Sequence, residues 1–239
     1  LTKTRWLPES QQRKSNGEFG DANVFFHQRN IMQTQLFEDD SLDTVISMAL
    51  THEIESYLGR EDLLEFCGRV FQMLINYDVV GPDGREELVL ADLTTTDGAA
   101  DGELADLSTR ARFEKFARDF RAEEGDGISY DVVKVDGREL VQLTRGALYE
   151  FLAKKDYVDS WYSEAHEALC FFSPDEWVAL LEANGFVMTR DTRPIRNPWL
   201  IENRFSPAAT VYVRDGEGSL VEDDWSWTNV VLVAQKPED

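Results

Sequence analysis

Hydrophobic positions along the chain switch between short apolar runs and helical stripes. Residues 1–20 are polar and irregular, and 14–21 read as a loop. The runs at 24–27 (VFFH) and 44–50 (TVISMAL) read as strands, with a loop at 37–41 between them. Over 61–74, Leu63, Leu64, Cys67, Val70, Phe71 and Leu74 recur at helical spacing and predict one amphipathic helix. A strand at 75–80 (INYDVV) follows without a loop, so residues are expected to be missing from the sequence at that junction.

Residues 81–87 turn the chain, and 94–103 form an acidic loop. Leu107, Phe113, Phe116, Ala117 and Phe120 predict a helix over 107–122. Two strands, 129–135 and 139–144, joined by Asp136-Gly137, predict a hairpin. A helix over 145–155 comes next. Ser173-Pro174-Asp175-Glu176 has the form of a capping box, opening a helix that Gly185 ends. Strands are predicted at 186–192, 210–214 and 228–235. Strands alternating with helices predict an α/β protein: a Rossmann-like, mostly parallel sheet with an antiparallel last strand. The chain is expected to form one domain over 1–239, incomplete at its N-terminus, with 94–170 an insert over the substrate.

Composition narrows the function. The 239 residues include 46 acidic against 24 basic ones, a net charge of −22, which disfavours nucleic acid as a partner. Cys67 and Cys170 match no zinc spacing and no disulfide framework, so a reducing cytoplasm and no metal site are expected. No apolar run reaches membrane-spanning length, and the opening residues, LTKTRWLPES, lack the apolar stretch of a signal peptide.

Several segments, in this order, resemble class I S-adenosylmethionine-dependent methyltransferases. Residues 23–47 are similar to that family's third strand, cofactor loop and fourth strand, and 48–58 (MALTHEIESYL) to the segment that follows. Residues 75–82, 172–188 and 228–237 are similar to its later strands and penultimate helix. The family's Gly-rich turn after the first strand, and the acidic residue after the second, are not present. The resemblance implies S-adenosylmethionine as cofactor and a small-molecule acceptor. It places Asn30 at the adenine amino group, with Ile31 and Met32 against the ring; Asn30 is equally read as a turn residue. Met48, Ala49 and Leu50 close a strand at the edge where α/β sheets bind ligands, and so face the cofactor.

Catalytic candidates are two histidines. His52 follows that edge and can accept a proton from a substrate, or be structural. His166 lies between Glu164 and Glu167, either a second proton acceptor or part of a solvated helix face. Asp78, inside an apolar strand, needs a partner or touches substrate. Arg190, Arg193 and Arg196 either meet an anionic substrate or neutralise nearby acids. The competing reading is an inactive methyltransferase-like scaffold that binds a partner. A reductase ranks last, for want of a Tyr-x-x-x-Lys signature.

Overall fold

The computed structural model describes residues 6–32, 41–68 and 73–237. The chain divides into two compact units, residues 1–41 and 42–239. In the first, helix α1 spans Trp6–Ser15, and Phe19 stacks against Phe26 with ring centroids 5.4 Å apart. Residues 24–27 form no strand, contrary to expectation: a four-residue apolar run has no neighbouring strand to hold it, and Phe25 is exposed. Most of the loop expected at 37–41 lies outside the described residues.

The second unit opens with β1 (Thr44–Met48), α2 (Thr51–Leu58), α3 (Arg60–Gly68) and β2 (Met73–Val79). Gly59, at φ +99°, breaks what would otherwise be one helix into α2 and α3. The stripe read as one helix over 61–74 therefore ends at Gly68, and Leu74 belongs to β2, where it is buried. Val70 and Phe71 lie outside the described residues. The supposed helix-to-strand junction at Leu74–Ile75 lies within a strand.

Next come β3 (Leu88–Leu93), α4 (Thr109–Asp119), β4 (Asp131–Val135), β5 (Arg138–Thr144), α5 (Arg145–Lys154) and α6 (Trp161–His166). The chain finishes with α7 (Pro174–Ala183), β6 (Val187–Met188), β7 (Arg193–Ile195), α8 (Pro198–Leu200), β8 (Ala209–Arg214), β9 (Leu220–Glu222) and β10 (Asn229–Gln235). Local chemistry explains several of these. Asp136 and Gly137 both take positive φ, as a two-residue hairpin turn requires. The Ser173 hydroxyl accepts from the Glu176 amide, and the Glu176 carboxylate accepts from the Ser173 amide, completing the capping box of α7.

The expected mostly parallel sheet does not form. There are two sheets, and of their eight strand pairings among the described residues only β1–β2 is parallel. One sheet has the order β1-β2-β10-β6, with β7 also on β10; β10 runs antiparallel to β2 along its whole length. The other, β4-β5-β3-β8-β9, is wholly antiparallel. Its existence is the physical reason for the correction. Val89, Ala91 and Leu93 of β3 bury one face together with Val141, Leu143 and Val211. Phe113, Phe116, Leu148, Phe151 and Trp161 from α4, α5 and α6 belong to the same core. The β8 strand thus goes to this second sheet rather than beside β10. Residues 94–170 accordingly supply part of a sheet whose other strands lie outside that range.

Candidate functional site

The site begins where β1 and β2 end. Their parallel register, Met48 beside Tyr77, brings both carboxyl ends to one edge. Ala49 takes φ +49° and donates its N–H to the Tyr77 carbonyl at 2.8 Å, turning the chain into α2. Leu50, at the N-cap position of α2, has no side chain able to cap it. Asp78 of β2 does so instead. Its Oδ2 accepts the backbone N–H groups of Thr51 (2.9 Å) and His52 (3.3 Å), and the Thr51 hydroxyl. Its Oδ1 accepts the Val79 N–H at 2.8 Å and lies 2.6 Å from His52 Nδ1. One buried carboxylate therefore caps the helix carrying His52 and orients its ring.

That bond settles the chemistry of the imidazole. With Nδ1–H donated to the Asp78 carboxylate, the neutral ring carries its lone pair on Nε2. Its side chain is only 10% exposed, and it lines a cavity of about 470 Å³. Glu167 Oε2 lies 3.8 Å from Nε2. Glu164 and, at the exposed rim, Glu53 share the cavity wall with Tyr149, Leu169, Arg204 and Phe205. Glu167 is held by the Tyr57 hydroxyl at 3.0 Å. Its carbonyl accepts from Lys154, which pairs with Glu150 at 2.7 Å; Glu150 in turn accepts the Leu169 and Cys170 amides.

Burial alone would lower the His52 pKa, but the hydrogen bond and charge of Asp78, with Glu167 and Glu53, hold it above the ordinary value. Burial would raise Asp78, but bonds from His52, Thr51 and Val79 and the charge of His52 keep it below the usual carboxylate range. Burial and the charge of Glu167 push both Glu53 and Glu164 up. Burial lifts the Cys67 thiol to about 11 and Cys170 well above normal, so neither is a thiolate nucleophile.

These shifts fix the pH dependence of stability. A lowered Asp78 contributes fully above its unfolded value and is lost as pH falls through the folded one. A raised His52 contributes fully below its unfolded value and is lost as pH rises through the folded one. The Tm difference between wild type and His52→Asn is therefore expected to be widest between about pH 4 and 6.5 and to shrink on either side. Calorimetry across that range checks it; a gap that grows above pH 7 contradicts it.

The other predicted residues scatter. The His166 ring packs on Tyr57, with centroids 4.8 Å apart, and its Nδ1 is 3.8 Å from Glu124. It lines a second cavity, of about 530 Å³, with Tyr57, Ser163 and Tyr162, rather than the cavity of His52. Ala49 lines the His52 cavity; Leu50 is half-buried and Met48 exposed. Asn30, Ile31 and Met32 belong to the first unit, where Asn30 Oδ1 accepts the Met32 N–H at 3.0 Å in a local turn. Arg193 donates to the Asp191 carbonyl, and Arg196 lies 3.6 Å from Asp224. Sequence reasoning missed Tyr57, Tyr149 and Arg204 as cavity residues; nothing in their local pattern marks them. Among the described residues no His/Cys/Asp/Glu group is arranged to hold a metal ion, and no helix is long and apolar enough to cross a membrane. Comparison with known proteins finds no matching family model, curated protein or solved structure.

Proposed function

We propose that this chain transfers a methyl group from S-adenosylmethionine to a small-molecule acceptor, with His52 as proton acceptor and Asp78 as its positioning residue. The observation that carries the reading is the His52–Asp78 bond of 2.6 Å, which turns Nε2 to the cavity at the carboxyl ends of β1 and β2. The ordered sequence resemblance favours methyl transfer among the reactions such a base could serve. The fit to the cofactor is one-sided. Ala49, with only a methyl side chain, is the one residue of those expected at the cofactor that lines the cavity. The described residues supply no Gly-rich turn or strand-end acid for the ribose and methionine portions.

When bound, S-adenosylmethionine supplies a methyl group already activated on a sulfonium. The residues of this chain supply the acceptor side. Asp78 fixes the His52 tautomer and offsets the charge of the imidazolium that forms. Nε2 removes the acceptor's proton. Val79, Leu169 and Phe205 keep water from the reacting atoms. The reading includes a reducing cytoplasmic setting, consistent with two free cysteines.

A non-catalytic, partner-binding module is the second reading, favoured by Ile46 and Met48, each about two-thirds exposed on β1. One pair of measurements separates the two. Calorimetry of the full-length protein with S-adenosylmethionine is expected to give binding heat, and labelled methyl groups are expected to appear on small acceptors. Absence of heat, thermal shift and label leaves only the second reading.

A further inference from the structure

Strands β2 and β10 carry apolar side chains on both faces, the pattern of strands covered on both sides. Helices α2 and α7 pack on one face, where Leu74, Leu232 and Ala234 are buried. The strand registers set Ile46 beside Ile75 and Val233, and Met48 beside Tyr77 and Val231, on the opposite face. There Ile46 and Met48 are 66% and 67% exposed, and the other four are half-buried. A contiguous apolar face of this kind marks an interface. Strands of five to seven residues, about 4.8 Å apart, make it roughly 15–20 Å on a side. That is on the order of the footprint that supplies about 800 Å² per partner in a standard interface.

Charge selects the occupant. The chain has 46 acidic residues against 24 basic ones, yet no residue that the registers put on this face is acidic. A basic partner would find no carboxylate here to pair with, and anionic lipid would be repelled by the surrounding charge. Arg193, opposite Val231, is the one charged side chain that the registers put on the face. It donates to the Asp191 carbonyl and has no ion-pair partner among the described residues. The face therefore suits a partner that is apolar at its centre and acidic around it, and a second copy of this chain is such a partner.

We propose that two copies of the chain pack these faces together about a twofold axis, sheet on sheet. Ile46, Met48, Tyr77 and Val231 lie at the centre, and Arg193 of each copy meets the acidic surround of the other. The contact uses the same patch twice, so it closes at a dimer. Its uncharged centre lets two like-charged chains approach. The face lies across the sheet from buried Asp78, so the dimer stands whether or not the chain transfers methyl groups.

Analytical ultracentrifugation of the full-length protein from about 1 to 100 μM tests this, with a reversible monomer–dimer equilibrium expected in that range or below. The double variant Ile46→Glu, Met48→Glu changes two exposed positions. It is expected to weaken dimerisation at least about 100-fold, by setting like charges against each other, with its circular dichroism unchanged. Arg193→Glu is expected to weaken it about 3–10-fold. Met48 is expected to become resistant to hydroxyl-radical oxidation as the dimer forms. A monomer at every concentration overturns the proposal. So does a dimer that these variants leave intact. Met48 equally protected in the monomer also overturns it, and places another segment or partner on the face.

Discussion

His52→Asn is expected to lower kcat by about 10²–10⁴-fold, the usual contribution of a positioned general base. Asparagine is chosen because its amide N–H can still reach Asp78, so the carboxylate keeps a donor in place of Nδ1 and continues to cap α2. The variant should therefore fold. What it lacks is the Nε2 lone pair on the cavity wall. The wild-type rate should rise with pH through an apparent value above the ordinary histidine figure of about 6.5, because Asp78 holds the imidazole proton. That limb should vanish in the variant. Steady-state kinetics from about pH 5 to 9 read both effects. A loss under tenfold with the limb intact would mean that another group takes the proton.

Asp78→Ala is expected to be the most destabilising single change at the site. The carboxylate is 1% exposed and accepts from the Thr51, His52 and Val79 amides, the Thr51 hydroxyl and the His52 ring. Alanine leaves those buried donors without an acceptor and uncaps α2. Losing one member of a buried pair costs about 3–5 kcal/mol, which for a unit of this size is a fall in Tm of about 6–20 °C. Asp78→Asn keeps one acceptor oxygen and should cost less, about 1–3 kcal/mol, while disturbing the His52 tautomer enough to slow turnover. Denaturant midpoints at constant m-value measure the first effect, and kcat the second. Full stability in Asp78→Ala would refute the assignment of Asp78 as cap and orienter.

Features set by adjacent residues were legible in the sequence. The Asp136-Gly137 turn, the capping box at Ser173 and the apolar face of α4 each follow from a few neighbouring side chains. Sheet membership did not. The alternation of β8 is the same whether it lies beside β10 or β3, and only the burial of Val211 against a distant core decides. The β3 strand, LVLADL, went unread between the turn at 81–87 and an acidic loop. Helix α2 went unread because its cap comes from Asp78, on a strand about 27 residues along the chain from Thr51.

The site divides in the same way. His52 stood out by its place after a strand, and Asp78 by being an acid in an apolar run. Their meeting at 2.6 Å depends on the β1–β2 register, which no local pattern encodes. His166 looked equally chemical in sequence, but α6 directs it to Tyr57 and Glu124. Glu167, read only as a neighbour of His166, is the residue that reaches His52.

Nitrogen-detected NMR of the His52 imidazole tests the dyad most directly. The neutral ring should carry its proton on Nδ1, with Nε2 unprotonated, and should titrate above about 6.5; Asp78→Asn should bring that value down. A neutral ring protonated on Nε2, or a titration at or below the ordinary value that Asp78→Asn leaves unmoved, would contradict the account.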